Sequence, residues 1–391
     1  MNQPDLTKKV FNNTDDIDIK QFAVICQQKI DKHDYPLAQQ ICKQIPIYAG
    51  DELLTAIEQG KDGAYMAEIA QVLDIGPGVF VIKNAYQDLT VIEKMNNVFK
   101  QLLEQQRNAK AADHFATAGA NGRVWNVFEK SAKADPSTFI EYYKNPILQL
   151  AAQAWLGPDY QITAQLNVVY PGGGAQHPHR DYHLGFQEND NIAKYPLHVH
   201  KMSRYLTLQG GIAHSDMPIA SGPTQLLPFS QQYDLGYLAW RNSEFKDYFK
   251  AHKVQLSLEQ GDALFFNPAL FHAAGDNQTK NIERSVNLLQ VSSAFSKPME
   301  TVNSTQISGL VYPHLSALFQ QKFLSSAELN AIISASCDGY SFPSNLDTDP
   351  PNSNSMAPQT AAQLTIQALQ ENWPVDKYQT ALNEQQLKRQ S

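Results

Sequence analysis

The feature that most constrains the fold of this 391-residue chain is a series of short β-rich runs between residues 160 and 293. In the first run, YQITAQLNVV, apolar side chains alternate with Thr, Gln and Asn, which is the two-residue period of a strand with one more polar face. Further strand-like runs follow after turn residues: RYLTLQGG, TQLLPF, KVQLSL, ALFFNP and SVNLLQVSS. Many short strands separated by Gly and Pro are typical of a β-sandwich or a jelly-roll barrel, which is the core that we predict.

Segments with helical periodicity flank the β-rich region. Between residues 16 and 73, apolar side chains recur at helical spacing, which predicts a helical N-terminal extension. The stretch TVIEKMNNVFKQLLEQQ is predicted to be an amphipathic helix that begins with a Thr90-x-x-Glu93 capping box. Helical patterning returns near the C-terminus, where a Ser-, Asn- and Pro-rich stretch at 341–359 is predicted to be a loop. Helices before and after a region of strands indicate an α+β fold.

Charge and cysteine content exclude several classes of protein. The net charge of −8 argues against a nucleic-acid-binding domain, because such domains carry a basic surplus. The three cysteines form no close pair, so we expect no disulfide framework and a reducing compartment. No apolar run approaches the roughly 20 residues of a membrane span, and the polar N-terminus has no apolar segment of secretory type. We therefore expect a cytoplasmic protein without a membrane span that binds no nucleic acid.

Histidines are concentrated in the middle of the chain, where six of the 11 lie between residues 177 and 214. Two of them begin a His-x-Asp pattern, His179-x-Asp181 and His214-x-Asp216. In a strand, residues i and i+2 face the same side, so a histidine and a carboxylate at this spacing can both reach one metal ion. Alone the pattern is weak, because a solvated or hydrogen-bonded loop histidine explains it equally well.

A distal histidine and an arginine make the signal sharper. His272 follows the strand-like run ALFFNP, and Arg284 comes 12 residues later at the start of the next strand-like run. Two histidines and one carboxylate form the facial triad of non-haem iron(II) oxygenases. A 2-oxo acid can then occupy two of the open metal positions and O2 the third, while an arginine on a neighbouring strand pairs with the far carboxylate of the 2-oxo acid.

With these residues the sequence resembles the phytanoyl-CoA dioxygenase family of iron(II)- and 2-oxoglutarate-dependent oxygenases. The resemblance covers roughly residues 75–297 and rests on four stretches in the order that the family has them. These are GVFVIKNAY, HRD, SGPTQLLPFS, and GDALFFNPALFHAAGDN leading to Arg284. Their departures from the family pattern, such as Ser221 where the family's turn has Asn, affect no expected metal ligand.

The resemblance implies the cofactors, the reaction and the site residues. Iron(II), 2-oxoglutarate and O2 are expected, with hydroxylation of a C–H bond in a small-molecule substrate and release of succinate and carbon dioxide. The implied metal ligands are His179, Asp181 and His272, and Arg284 is the implied anchor of 2-oxoglutarate. The second motif, His214-x-Asp216, lies shortly before the SGPT stretch, where the family has a strand and turn rather than its ligands, so we interpret it as structural or as part of the pocket rim.

Further residues are weaker candidates for the same site. Asn167 and Gln165 lie on the polar side of the strand that leads to the metal motif, and Thr224 follows the Gly-Pro turn, so each is a candidate hydrogen-bond partner of 2-oxoglutarate. Residues 185–203 are predicted to form a long irregular lid or substrate-facing loop. Three side chains close to the expected ligands either orient a ligand, line the pocket or lie on the surface: Gln176, His177 and His183.

The family pattern also divides the chain. It implies a dioxygenase domain over 74–297, built on a double-stranded β-helix, or jelly roll, with flanking helices. Helical extensions precede it at 1–73 and follow it at 298–391, and they are candidate surfaces for a homo-oligomer.

Other classes of function fit part of the pattern. A jelly-roll protein can hold a structural zinc ion with two histidines and a carboxylate and act as a binding or scaffold protein. Arg284 argues against this alternative, because a structural metal needs no carboxylate anchor. A cupin-type metal site is a poorer match, because no glutamate follows His177-x-His179 at the required spacing. A scaffold whose helical ends bind partners is a further alternative, and oxygen consumption that depends on iron distinguishes it from an oxygenase.

Overall fold

The structure is a computed structural model that describes residues 7, 10–108, 121–351 and 355–390 of the chain. Within them it has a mixed α+β architecture centred on an eight-stranded sheet, which confirms the predicted α+β class. The strands are β1 (Gln40–Cys42), β2 (Ile45–Ala49), β3 (Val79–Lys83), β4 (Asn121–Val124), β5 (Tyr160–Val169), β6 (Thr207–Ala213), β7 (Gln225–Leu226), β8 (Ala263–Phe266), β9 (His272–Ala273) and β10 (Arg284–Ser293).

The eight-stranded sheet has the order β1-β2-β3-β8-β6-β10-β5-β4, and β7 pairs with β9 in a second, two-stranded sheet. The long strands β5 and β10 are antiparallel, with Tyr160 opposite Ser293 and Val169 opposite Arg284. Strand β6 pairs with the other edge of β10, and β2 and β3 are the one parallel pair in this sheet as described. This register determines which side chains of β5, β6 and β10 share a face.

Helices cover one face of the large sheet and form most of the C-terminal part of the chain. They are α1 (Ile19–Cys26), α2 (Gly50–Glu58), α3 (Gly63–Asp74), α4 (Leu89–Asn108), α5 (Val127–Ala134), α6 (Pro136–Tyr143), α7 (Pro146–Leu156), α8 (Asn189–Ile192), α9 (Leu197–Ser203), α10 (Gly236–Ala239), α11 (Ser243–His252), α12 (Ser304–Gln320), α13 (Ser326–Ser336), α14 (Ala361–Gln370) and α15 (Val375–Lys388). The C-terminal helices α12 and α13 pack against α5, α6 and α7. No helix in the described part of the chain combines the length and the apolar character that crossing a membrane requires.

Local sequence explains several helix boundaries. Asp135 caps α6, where its carboxylate accepts a hydrogen bond from the backbone N–H of Thr138 at 3.0 Å, and Pro136 occupies the first turn. Helix α4 begins at Leu89, and Asp88 rather than Thr90 accepts the capping hydrogen bonds, so the predicted capping box is wrong and the cap lies two residues earlier. The backbone N–H and the hydroxyl of Thr90 both donate to the carboxylate of Asp88. Asp is at least as favourable as Thr at the N-cap of a helix, so either residue can serve as the cap.

The two faces of the large sheet have different surroundings. On one face, apolar side chains of β5, β6, β8 and β10 belong to the main core under the helices, among them Leu166, Leu208, Phe265 and Leu289. On the other face, polar side chains of the same strands line a cavity together with residues next to β7 and β9. The two-residue period of the strands therefore separates core from cavity.

Parts of the chain differ from the sequence-based expectations. The N-terminal stretch predicted to be helical also contains β1 and β2, and β2 joins the edge of the large sheet beside β3. In the sheet, Ile45, Ile47 and Tyr48 of β2 are all buried. The run KVQLSL makes only isolated bridges at Val254 and Leu258. Residues 185–203 contain α8 and α9 and are thus less irregular than predicted.

Candidate metal centre

Backbone pairing brings two distant histidines side by side. The N–H of His179 donates to the carbonyl of His272 at 3.0 Å, and the N–H of His272 donates to the carbonyl of His179 at 3.2 Å. His272 lies in β9, which pairs with β7 with Leu226 as its partner. The two imidazole rings lie with their centroids 4.4 Å apart. A short antiparallel bridge therefore holds the two rings next to each other.

Asp181 completes a group of three potential metal ligands. Its carboxylate oxygens lie 3.6 Å from Nε2 of His179 and 3.2 Å from Nε2 of His272. One ligand atom from each residue lies within 4.8 Å of those of the other two. After Asp181 the chain turns sharply, with Tyr182 at φ 58° and His183 at φ 48°, a left-handed conformation that few residues adopt and that often occurs at functional sites.

Hydrogen bonds fix the orientation of both imidazoles. Nδ1 of His179 lies 2.8 Å from the carbonyl oxygen of His177, and Nδ1 of His272 lies 2.9 Å from that of Leu270. A carbonyl can only accept, so each Nδ1 carries a proton, and in the neutral imidazole the lone pair on Nε2 is available to a metal ion. This is the tautomer that a metal-binding histidine uses.

The electrostatics of the group also suit a cation. Burial opposes the charge on Asp181, but the positive charge that His179 and His272 carry when they are protonated, and a hydrogen bond from Gln209, hold the pKa of this carboxyl well below its usual range. Burial is the main reason why the pKa of His179 is lowered. An ionised carboxylate beside a neutral imidazole is the donor set that a divalent metal needs.

Arg284 lies on the same face as the triad at the beginning of β10. It is 3% exposed, and burial lowers its pKa to about 10, so the guanidinium is charged at neutral pH. Its Nε and Nη1 have no hydrogen-bond partner within the described residues. A buried cation without partners is costly, so the arrangement fits an anionic group in the cavity.

The three weaker candidates from the sequence all line the same cavity. Asn167 lies on β5 and is buried, and its Oδ1 has no hydrogen-bond partner in the described residues. Gln165 donates from Nε2 to Oε1 of Gln290 at 3.5 Å. Thr224 precedes β7 and is half-buried. Their location agrees with the sequence-based expectation, and their role as contacts of 2-oxoglutarate remains a prediction.

The second His-x-Asp motif is located elsewhere. Nε2 of His214 lies 2.8 Å from the hydroxyl of Tyr142, and its Nδ1 lies 2.7 Å from Oδ1 of Asn96, on the side of the sheet that the helices cover. Asp216 is exposed and accepts from the backbone of Gln260 at 3.0 Å. His214 is therefore a buried structural residue, as the sequence predicted.

Near the metal motif, His177 and Gln176 line the mouth of the cavity, and His183 has Nε2 3.4 Å from the hydroxyl of Thr207. Gly185 and Phe186, at the start of the predicted lid, also line the cavity.

Sequence reasoning missed residues that the fold adds to the site. Gln209 on β6 donates from Nε2 to Oδ2 of Asp181 at 2.6 Å, and it shares a face with the cavity residues of β10. Arg123 and Trp125, on and beside β4, line the same cavity. The two-residue period of RYLTLQGG was a usable signal for Gln209, but nothing local marks Arg123 as a pocket residue.

The cavity next to the triad has a volume of about 560 Å³, which is within the range of small-molecule sites. Its lining includes Gly211 of β6, where a Cβ atom would lie 2.9 Å from Cγ2 of Val286. The walls combine apolar side chains of the sheet with the polar groups described above.

Comparison with known proteins gives the following similarities. The phytanoyl-CoA dioxygenase (PhyH) family profile matches residues 76–286, more than half of the chain. Similar solved structures include the non-heme alpha ketoglutarate dependent epimerase SnoN from nogalamycin biosynthesis, with 14% identity, coverage of 59% of this chain and 84% of that chain, and a TM-score of 0.43. The carbocyclase SnoK from the same biosynthesis has 15% identity, coverage of 59% and 86%, and a TM-score of 0.42. HygX from Streptomyces hygroscopicus, solved with nickel, 2-oxoglutarate and hygromycin B bound, has 12% identity, coverage of 57% and 86%, and a TM-score of 0.41.

No curated protein matches the chain. The family match spans all three residues of the triad and Arg284. The chain therefore belongs to the phytanoyl-CoA dioxygenase family of iron(II)- and 2-oxoglutarate-dependent oxygenases.

Proposed function

We propose that this chain is a dioxygenase that hydroxylates a C–H bond of a small-molecule substrate and releases succinate and carbon dioxide. One observation supports it above all: the donor set of His179, Asp181 and His272 shares a cavity with Arg284, whose Nε and Nη1 have no hydrogen-bond partner among the described residues. When bound, iron(II) and 2-oxoglutarate supply the oxidising chemistry with O2, and the protein supplies binding, orientation and a sheltered pocket.

In this proposal the triad binds iron through one face. The Nε2 atoms of His179 and His272 and the carboxylate of Asp181 are the ligands, and the backbone carbonyls at Nδ1 keep the imidazoles from rotating. Gln209 holds one carboxylate oxygen of Asp181 in place. Three ligands on one side leave the remaining positions open to the cavity. A retained carboxylate favours hydroxylation, since related halogenases bind chloride in its place.

Arg284 is the proposed anchor of 2-oxoglutarate. Its planar guanidinium can donate two parallel hydrogen bonds to the far carboxylate, which lysine cannot do. Asn167, Thr224 and Gln165 are proposed as secondary contacts of the cosubstrate, because all three line the cavity. In this proposal, bound 2-oxoglutarate neutralises the buried charge of Arg284. The pairing therefore favours binding of the cosubstrate and also stabilises the folded protein.

We also propose that residues 74–297 form the dioxygenase domain with a double-stranded β-helix core. The large sheet and the two-stranded sheet β7–β9, which both contribute residues to the cavity, support this arrangement. The strand pair β1–β2 extends the sheet from the N-terminal side. The extension at 298–391 covers helices of the core, and both extensions remain candidate surfaces for a homo-oligomer.

The alternative is a structural metal site in a binding or scaffold protein. A structural zinc site is closed, with its coordination filled by the protein. Here the described residues offer three ligands beside a cavity of about 560 Å³, and an uncompensated arginine lies in that cavity. These features favour the oxygenase.

The test is succinate formation from 2-oxoglutarate with iron(II), ascorbate and O2, with and without a panel of small metabolites. We expect turnover that a subset of metabolites stimulates. Asp181→Ala abolishes it and weakens metal binding, whereas the matched control Asp216→Ala, in the exposed second motif, retains it. Full activity in Asp181→Ala, or no turnover and no binding of iron in the unmodified protein, overturns the proposal.

A further inference from the structure

A buried arginine, Arg180, separates the first two metal ligands in sequence, and the proposed function assigns it no role. Its side chain is 2% exposed. Its Nη2 donates to the backbone carbonyl oxygens of Ser230 at 2.5 Å and of Tyr233 at 2.9 Å. A guanidinium is always charged, and a buried charge is costly unless the fold provides partners for it. The structure thus holds a cation at a position where an apolar side chain would cost less to bury.

Two aromatic rings complete the surroundings of this guanidinium. Its Cζ lies 5.1 Å from the ring centroid of Tyr237 and 5.3 Å from that of Phe271. Both distances are within the range of a cation–π contact. Phe271 immediately precedes His272 in sequence, so the side chain that joins the first two ligands also contacts the neighbour of the third.

The backbone at Gly236 approaches the guanidinium so closely that a larger residue leaves no space for it. A Cβ atom at this position would overlap with Cζ, Nη2 and Nε of Arg180. Because two carbonyls and two rings hold the guanidinium, it cannot move aside at little cost. Glycine at 236 and arginine at 180 therefore fit each other, although 55 positions separate them in sequence.

A second connection joins the same parts of the chain. Ser230, whose carbonyl accepts from Arg180, also accepts a hydrogen bond through its hydroxyl oxygen from the backbone N–H of Phe271, at 2.8 Å. Residues 230–237 therefore contact both the side chain between the first two ligands and the backbone next to the third.

These contacts act where the backbone bridge of the metal centre ends. The bridge fixes His179 against His272, whereas Asp181 lies beyond it and donates from its N–H to the carbonyl of Pro268 at 3.2 Å. A fixed side chain on the intervening residue restricts rotation of the backbone between the two ligands. Arg180 is therefore placed to limit how far Asp181 can turn relative to His179.

The N-terminal helix α1 covers the rings next to Arg180. The ring centroid of Phe22 lies 4.9 Å from that of Phe271 and 5.4 Å from that of Tyr233. The backbone N–H of Asp18, the residue that caps α1, donates to the hydroxyl of Tyr233 at 2.7 Å. Excluding water from these contacts strengthens the hydrogen bonds of the guanidinium. The N-terminal extension thus contributes to the surroundings of the metal motif.

We infer that Arg180 is a positioning residue of the metal centre. Its guanidinium, held by two backbone carbonyls and two aromatic rings, keeps His179 and Asp181 in the orientation that binds the metal. This inference rests on the metal site of the proposed function and adds a residue to it. Arginine suits this place better than lysine, because a planar guanidinium can stack on rings while it donates hydrogen bonds.

The test is binding of cobalt(II), followed by its visible absorption, because the absorption bands depend on the number and geometry of the ligands. Arg180→Met removes the charge and the hydrogen bonds but keeps an unbranched side chain. We expect the affinity for cobalt(II) to fall by about 10-fold, the lower end of the effects of outer partners, and the absorption bands to shift. Arg180→Lys, which restores the charge and can donate to the carbonyls, should recover part of the affinity.

The matched control is Arg389→Met in the C-terminal extension. Arg389 also has a largely buried side chain, which is 18% exposed, and its Nη1 lies 3.3 Å from the carboxylate of Asp338. Its replacement can lower the stability of the fold but should leave the affinity and the spectrum of cobalt(II) unchanged. Equal losses in Arg180→Met and Arg389→Met overturn the inference, because they reflect a general loss of stability.

Amide hydrogen exchange in the unmodified protein tests the same connection without a variant. The N–H groups of Tyr233 and Gly236 donate within the segment 230–237, at 3.3 and 3.0 Å. If Arg180 couples this segment to the ligands, binding of manganese(II) slows exchange there by reducing local opening. Exchange in helix α15 should not change. No slowing in 230–237 overturns the inference, even if Arg180→Met does not fold.

The outcomes separate this inference from the proposed function. If the unmodified protein binds neither cobalt(II) nor manganese(II), both fail. If it binds these ions but Arg180→Met has the same affinity and the same spectrum as the unmodified protein, the inference alone is overturned.

Discussion

His179 and His272 exchange two backbone hydrogen bonds, of 3.0 and 3.2 Å, although a large part of the chain separates them in sequence. The bridge fixes the distance between the two rings before any metal binds. A preformed site of this kind lowers the entropic cost of binding a metal ion, because the ligand side chains are already held in place.

Removing either imidazole should abolish tight metal binding. His272→Ala leaves two ligands, and we expect the affinity for manganese(II) to fall by more than about 100-fold, since changes to outer partners alone cost 10- to 100-fold. Isothermal titration calorimetry measures this. His214→Ala is the matched control, because His214 belongs to a buried structural cluster, and its metal affinity should stay unchanged. Equal losses in both variants contradict the metal assignment.

Arg284→Met should weaken the binding of 2-oxoglutarate without lowering the stability of the ligand-free protein. The substitution removes a charge-assisted contact, so the 2-oxoglutarate concentration at half-saturation rises by about 10- to 100-fold. It also removes a buried guanidinium with two unpartnered nitrogens, so the protein without ligand should melt no lower than the unmodified one. Thermal melting with and without 2-oxoglutarate tests both points. Unchanged stabilisation by 2-oxoglutarate in the variant argues against the anchor.

Gln209→Leu should leave the carboxylate of Asp181 less firmly positioned. The amide of Gln209 donates to the carboxylate at 2.6 Å and helps to keep the pKa of Asp181 low. Without it, we expect the affinity for iron(II) to fall by about 10-fold, the lower end of outer-partner effects. The metal affinity is measured by competition with a coloured chelator. A variant that binds iron as tightly as the unmodified protein shows that Asp181 needs no such support.

His214 should make the metal-free protein less stable in acid. Burial lowers the pKa of His214 to about 3, whereas the unfolded chain protonates it near its ordinary value of 6.5. Between these values the unfolded state binds more protons, so stability is full above about pH 6.5 and falls as the pH decreases. Urea unfolding at pH 7.5 and pH 5 measures the slope, which His214→Gln should reduce. His33→Gln, in an exposed turn, should not change it.

Glu300 should have the opposite effect to His214 and make the protein less stable as the pH rises. Burial raises its pKa from 4.5 to about 7, and one of its carboxylate oxygens is buried without a partner in the described residues. The folded state therefore holds a proton that the unfolded state loses above about pH 4.5, and stability decreases as the pH rises through about 7. Glu300→Gln should remove this loss, seen as a smaller difference between urea midpoints at pH 6 and pH 8. A larger difference in the variant contradicts this account.

Much of the candidate site follows from local patterns. The spacing of His179 and Asp181 and the position of His272 and Arg284 beside strand-like runs made them candidates, and the family resemblance selected them over the second His-x-Asp motif. The structure brings the first three within 4.8 Å. His179 and Asp181 lie in no regular strand, and the backbone bridge between His179 and His272 brings the distant histidine to the motif. The cap at Asp135 and the first-turn proline of α6 are likewise readable from neighbouring residues.

Other features depended on residues that are distant in sequence. The pairing of β2 with β3 makes a strand of a segment predicted to be helical, and the order of β4, β5 and β10 brings Arg123 into the cavity with Arg284. Local periodicity specifies the face of a strand but not its neighbours. The neighbours are chosen by the burial of apolar surface and the pairing of backbone groups across the whole chain, which only the tertiary structure decides.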